Sequence, residues 1–235
     1  MRQPASQATR HAAPVFSMHS IFFPRMAVDT SGSRTEKARE IILRICRDRG
    51  LRRVVKSKSM ATEEIDLNEA LEAAGVTPVE TDLGEYIIQL AHEKPSHIIA
   101  PAIHKTKGQV AELFSKELKG HFAADPEVLT AAARKELRQK FLQADMGITG
   151  ANFAVADTGT VVLVTNEGNG RMVTSLPRIH VAVMGIEKVI PSMTDLMLFL
   201  AILARSATGQ KLSVYTTLVR GPRHPEELRD RRSST

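Results

Sequence analysis

Two loops of this chain carry side chains whose types and spacing suit chemistry. Lys56-Ser57-Lys58-Ser59-Met60 follows the apolar pair Val54-Val55 and precedes a helical pattern that starts near Thr62. Lysines, hydroxyls and a following helix N-terminus together suit a phosphate or a carboxylate. No glycine precedes the lysine at the spacing of a Walker loop, so a nucleotide P-loop is excluded. Read blandly, the same residues form a polar connector in which Ser59 or Thr62 caps the helix. The second loop is Thr165-Asn166-Glu167-Gly168-Asn169-Gly170-Arg171. Gly168 and Gly170 permit positive φ and close approach of a ligand to the backbone. Asn166 and Asn169 offer amides, Glu167 a base or nucleophile, and Arg171 a two-pronged grip on an anion. A plain hairpin tip would need neither the acid nor the arginine.

Three weaker candidates stand beside these. His104, with Lys105, follows an apolar segment and has the side chain best suited to acid–base work near neutral pH, although a lone loop histidine is usually just hydrogen-bonded. Asp157 sits in the Thr158-Gly159 turn and most simply supports it. Asp82 and Glu85 open a short helix, where they complement its dipole.

The elements that must position these loops alternate. Ala38, Ile41, Ile42 and Ile45 recur at helical spacing, giving a helix that ends near Gly50. A strand at Val54-Val55 and a helix from Thr62 to Gly75 follow, then a strand over 76–80, a helix over 83–92 and a strand over 96–102. Two helices are expected over 106–119 and 126–143, the second with Pro126 in its first turn. Runs 152–157 and 160–165, separated by Thr158-Gly159, read as a hairpin. A strand over 178–184, a helix over 193–207 that is apolar on most sides and so expected to be buried, and a strand over 212–219 close the series. The pattern predicts an α/β fold with a mostly parallel sheet, helices on both faces and a β-hairpin insert. In such sheets ligands bind at the carboxyl ends of the strands, where both loops lie.

Composition narrows the function classes. Hydrophobic residues make up 43% and charged residues 25% of the 235, with no Trp, so the core must be aliphatic. The longest apolar run, Leu196 to Ala204, falls far short of the ~20 residues a membrane span needs. No secretory signal is visible, which makes a cytoplasmic location the expectation. The net charge of +6 is partly local, between Arg44 and Lys58, and reads as a solvated face; no nucleic-acid-binding motif accompanies it. Cys46 is the one cysteine, so neither an intrachain disulfide nor a four-cysteine cluster can form within one copy. Residues 1–34 read as a disordered or spurious leader, with an organelle-type targeting segment as the alternative. Residues 35–222 form the domain, and 223–235 a charged, disordered tail.

Taken together, the motifs resemble a known family. Val54-Val55-Lys56-Ser57-Lys58-Ser59-Met60, Glu80-Thr81-Asp82-Leu83-Gly84-Glu85-Tyr86, Ser96 through Lys105, Ala144-Asp145-Met146-Gly147-Ile148-Thr149-Gly150 and Thr165 through Arg171 occur in one order and resemble the lactate utilization protein B family. The resemblance runs from about residue 36 to 222. It implies a LUD domain, with a fold like NagB, ribose-5-phosphate isomerase and CoA transferases. It also implies a part in oxidising L-lactate to pyruvate, alongside an iron–sulfur oxidoreductase subunit and a second LUD-type subunit. Family members of this type continue into a ferredoxin-like region whose cysteines hold [4Fe–4S] clusters. This sequence departs there: it carries no cluster-ligating cysteines, so it is expected to be truncated relative to them and inactive in electron transfer alone. The remaining alternatives are a non-catalytic assembly module or an acyl- or phosphosugar-handling enzyme of the same fold. For the lactate-utilization reading, the residues proposed for a small anionic ligand are Lys56, Ser57, Lys58, Ser59, Asn166, Gly168, Asn169, Gly170 and Arg171, with Glu167 and His104 as acid–base candidates.

Overall fold

Strands buried on both faces build the main sheet. In a computed structural model describing residues 15–18, 34–93, 96 and 100–221, strands β1 (Val15–Met18), β2 (Arg53–Lys56), β3 (Thr77–Glu80), β4 (Met146–Thr149) and β7 (Ile179–Val183) order as β1-β7-β4-β2-β3. The four strands from β7 to β3 run parallel, and β1 pairs antiparallel with β7 at one edge. Val54, Met146, Ile148, Ile179, Val181 and Val183 point to one face, where helices α1 (Arg34–Arg49) and α3 (Leu67–Ala73) bury Ile42, Cys46 and Leu71 against them. Val55 points to the other face, covered by α4 (Leu83–Ala91), α5 (Lys107–Glu117), α6 (Pro126–Gln143) and α7 (Asn169–Ser175) through Ile87, Phe114, Leu137 and Val173. This is the α/β architecture that the strand–helix alternation predicts, and it agrees with the fold implied by the resemblance.

The expected hairpin is present but builds a sheet of its own. Strands β5 (Phe153–Val155) and β6 (Thr160–Thr165) pair antiparallel around Gly159, whose φ of 65° suits glycine. Strand β8 (Val189–Ile190) and the late strand β9 (Tyr215–Val219) complete the order β8-β5-β6-β9. One face meets the first sheet through Val161, Leu163 and Ala182. The other holds helix α8 (Met193–Thr208) through Met193, Leu196 and Leu200.

Several expectations needed correction. Val15–Met18 lie in the presumed leader, yet they pair with the otherwise open edge of β7, where unmatched backbone groups favour an added strand. The helix expected from Thr62 is two: α2 (Met60–Glu64) starts after Ser59, and Asp66, at φ 46°, breaks the chain before α3. Of the strand expected over 96–102, residues 97–99 lie outside the described residues, and Pro101–His104 form a turn. Strand β4 was not foreseen, nor was α7, which occupies half of the glycine-rich loop. Helix α8 is not buried all round, for Met197, Leu198 and Ile202 are exposed. Among the described residues no helix is long and apolar enough to cross a membrane.

Cys46 is 2% exposed in the α1 core, and burial pushes its thiol up to about 11. A thiol reagent at neutral pH should therefore label the native protein only as fast as it unfolds, and label the urea-unfolded chain at once. Rapid native labelling would show that α1 does not pack as described.

Candidate functional site

The chain passes from β2 to β3 on one side and then returns to β4 on the other, so β2 and β4 flank the topological switch point of the sheet. The crevice outside the carboxyl ends of such strands is where open α/β sheets bind ligands. Here it is tightly drawn: a Cβ on Gly150, just past β4, would come 2.8 Å from Ser59 Oγ, just past β2. Three loops meet around it, those following β2, β3 and β6.

The first lysine of the proposed loop is not available to a ligand. Lys56 ends β2 on the same face as Val54, by strand alternation, and is 2% exposed. Its ammonium donates to Glu80 Oε1 at 2.7 Å and to Asn68 Oδ1 at 2.5 Å, and Asn68 Nδ2 donates to the same Glu80 oxygen at 2.8 Å. This closed triad joins β2, β3 and α3. Ser57 and Ser59 are buried beside it, and Ser57 N donates to Ile148 O at 3.0 Å, extending the sheet.

Lys58 is placed differently. Its nitrogen lies 3.0 Å from Glu85 Oε1, the buried acid in the first turn of α4. No N–H of that ammonium is aligned with an acceptor, and the nitrogen is closed off from solvent. The two form a close ion pair whose angles depart from those of a good hydrogen bond. Asp82 caps the same helix, accepting from Gly84 N at 3.0 Å and Glu85 N at 3.3 Å.

Glu167 reaches this group from the β6 loop. Partial burial, then the charge and a hydrogen bond of Asp82, raise its pKa above the ordinary glutamate value, while Lys58 pulls it down. Glu63 on α2 faces the same charges: burial, Glu85 and Glu80 raise its pKa against Lys58 and Lys56. Asn169 Nδ2 donates to Thr81 Oγ1 at 3.4 Å, and Thr81 Oγ1 donates to Lys56 O at 2.7 Å, tying the β6 and β3 loops to β2.

The two sequence-predicted loops therefore converge through Lys58, Glu167 and Asn169, but not through all their proposed members. Arg171 lies on α7, is exposed, and has no ion-pair partner among the described residues. The Asn166 amide is occupied at both ends, donating to Gln210 Oε1 at 2.8 Å and accepting from Val214 N at 3.2 Å, so it latches the approach to β9. Gly168 and Gly170 do not take positive φ: Gly168, at φ −77°, leads into α7, and buried Gly170 lets that helix lie against Thr165. His104 is held on both ring nitrogens, by Ser96 Oγ at 2.8 Å and Glu93 Oε2 at 2.9 Å, in a surface cluster that also pairs Lys105 with Glu93 at 2.6 Å. Among the described residues nothing links it to Glu167.

Sequence reasoning set aside Asp82 and Glu85 as dipole partners of α4, and passed over Glu63. The Asp82-to-Glu85 spacing does mark a helix start, but that these carboxyls also face Lys58 and Glu167 is a tertiary fact. They change the character of the site. Five carboxyls (Glu63, Glu80, Asp82, Glu85, Glu167) surround two lysines, so acidic groups outnumber basic ones at the crevice. Among the described residues no group of histidine, cysteine and acid side chains is arranged to hold a metal ion. The [4Fe–4S] clusters implied by the resemblance do not fit this chain's donors, because its one cysteine is buried in the α1 core.

Comparison with known proteins accounts for most of the chain. The family model described as the LUD domain matches residues 31–229. Lactate utilization protein B of Bacillus pumilus is 50% identical over 194 residues, covering 82% of this chain and 41% of the relative. The proteins of the same name from Bacillus licheniformis and Bacillus subtilis are each 51% identical, over 208 and 194 residues; they cover 88% and 82% of this chain and 42% and 40% of themselves. The chain thus spans about two fifths of the length of the curated relatives it matches. No solved structure matches it. With a family model matching most of its length, this chain belongs to the LUD domain family.

Proposed function

We propose that this LUD domain binds a small 2-hydroxy or 2-keto carboxylate, L-lactate or pyruvate, at the β2–β4 crevice, as one part of an L-lactate-oxidising assembly. The observation that carries this reading is the identity of about half of all residues with relatives named for lactate utilization, over a stretch that includes all three site loops. Lys58, paired with Glu85 in the absence of ligand, turns to the ligand carboxylate. Glu167, whose pKa is raised by burial and by Asp82 beside it, takes the hydroxyl proton as the keto group forms. Conversion of lactate to pyruvate releases two protons and two electrons. The Cα hydrogen and the two electrons leave to an acceptor outside this chain, which we propose is held by the iron–sulfur oxidoreductase subunit, with a second LUD-type subunit completing the assembly.

The acidic field makes binding pH-dependent, and its sign follows from Glu167. A raised pKa means the folded protein holds this proton more tightly than the unfolded chain does. Below the ordinary glutamate pKa both states are protonated and nothing is lost. As pH rises through the raised value Glu167 ionises, fold stability falls and repulsion of an incoming carboxylate grows. L-Lactate and pyruvate should thus bind more tightly at mildly acidic than at neutral pH, by calorimetry on the purified protein. Glu167→Gln should flatten that dependence and leave the neutral-pH melting temperature equal or higher, while Lys58→Met should lose the ligand. No heat with either acid at any pH would end this reading.

The acid excess also favours a second reading, a non-catalytic assembly module that needs no ligand. Capture of the other lactate-utilization subunits by a protein that binds neither acid would support it over the first. An acyl-transfer role with Glu167 as nucleophile is the poorer fit, since burial and the charge of Asp82 disfavour the ionised form that would attack.

A further inference from the structure

The face of the second sheet is wider than the one helix laid on it. Strands lie ~4.8 Å apart and a helix with its side chains is ~10 Å across, so α8 covers roughly two of the four strands. Leu196 closes on Val155, Val162 and Ile190. Beyond it, Leu218, paired with Val162 in the β6–β9 register and therefore on the same face, stays 51% exposed. The outer side of α8 is barer still. Thr194, Met197, Leu198, Ala201, Ile202 and Arg205 are all exposed and fall at i, i+3, i+4, i+7, i+8 and i+11, which is one continuous stripe. Met197 and Leu198 are each 64% exposed. An aliphatic stripe two turns long beside an uncovered strand marks an interaction surface.

The order of residues along the stripe selects its occupant. About a point between Phe199 and Leu200, Thr194 maps onto Arg205, Met197 onto Ile202 and Leu198 onto Ala201. Laid antiparallel on itself, the stripe sets large beside small at the centre and aliphatic on aliphatic at the next step. The only charges on α8 are Asp195, held in the first turn by its capping box with Ser192, and Arg205 in the last. Antiparallel pairing places each Arg205 over the acidic first turn opposite and opposes the two helix dipoles favourably. Parallel pairing would stack arginine on arginine.

We propose that α8 pairs antiparallel with α8 of a second copy of this chain, across a two-fold axis passing between Leu198 and Ala201. Such an interface is isologous: each Met197 meets the partner's Ile202 and each Arg205 lies by the partner's Thr194. Sedimentation velocity over a wide concentration range should show a reversible dimer. Ala201→Arg, at the axis, should give a monomer with an unchanged circular dichroism spectrum, since the position is exposed. Thr194→Arg should weaken the dimer about tenfold, by facing Arg205 with a like charge. Arg205→Glu added to Thr194→Arg should restore it, a rescue that a merely structural defect would not show. A protein monomeric at every concentration overturns the proposal, including the case in which residues 19–33, with Ile21, Phe22 and Phe23, cover the stripe instead. So does a dimer indifferent to Ala201→Arg, or a Thr194→Arg defect that Arg205→Glu fails to rescue.

Discussion

Glu80→Ala is expected to destabilise the domain by about 3–5 kcal/mol, close to the whole stability of many proteins of this size. The reason lies in the triad at the end of β2. Lys56 is buried with its ammonium 2.7 Å from Glu80 Oε1 and 2.5 Å from Asn68 Oδ1. Removing the carboxylate leaves a positive charge in the interior with one neutral amide for company, and the desolvation cost of that charge is no longer offset. Replacing both charges together tells the two contributions apart. Lys56→Met with Glu80→Leu should come within about 1 kcal/mol of the parent or exceed it, because a well-packed apolar pair avoids the cost of burying ions. Urea denaturation of the two single variants and the double variant completes the cycle. A small loss for Glu80→Ala would mean that water reaches Lys56, and that the β2 end is open.

Gly147→Ala should cost about 3 kcal/mol, at the upper end for overpacking. A Cβ there would sit 2.1 Å from Val173 O, a backbone atom of α7, so no side-chain rotation relieves the clash. Strand β4 is held between β2 and β7 and cannot retreat; α7 must lift instead, taking Asn169 and the Glu167 loop away from Thr81 and Asp82. A sharper pH dependence of stability should disappear with it, since Glu167 loses its partner. Gly168→Ala provides the contrast. That glycine has an ordinary φ of −77° and open space where a Cβ would go, so its replacement should change stability by less than about 0.5 kcal/mol. Equal losses for the two would show that α7 does not rest on β4.

The comparison between those two glycines shows how the sequence divides. Gly168 looked special, flanked by amides and an acid, yet its backbone is ordinary. Gly147 lies in a four-residue strand too short and too irregular to be seen, and it is the one the packing requires. Helix α6 was legible to the residue, because Asp125 and Pro126 are local signals for its start and the helix needs no distant partner. Burial of Lys56 was legible in principle as well, for alternation puts it on the face of Val54; what the alternation lacked was the acid that makes burial tolerable.

Local order therefore determined the alternation of strands and helices, the hairpin around Gly159, the core faces and the loops that could hold chemistry. Only the tertiary structure decided that β9 joins β6 across some fifty residues, that Asp82 and Glu85 confront Lys58 and Glu167, and that α8 shows an apolar side to water. Short-range periodicity is written in neighbouring residues and survives without context. The sign of the field at a crevice is a sum over charges brought together from α2, α4 and three separate loops, and no window along the chain contains them all.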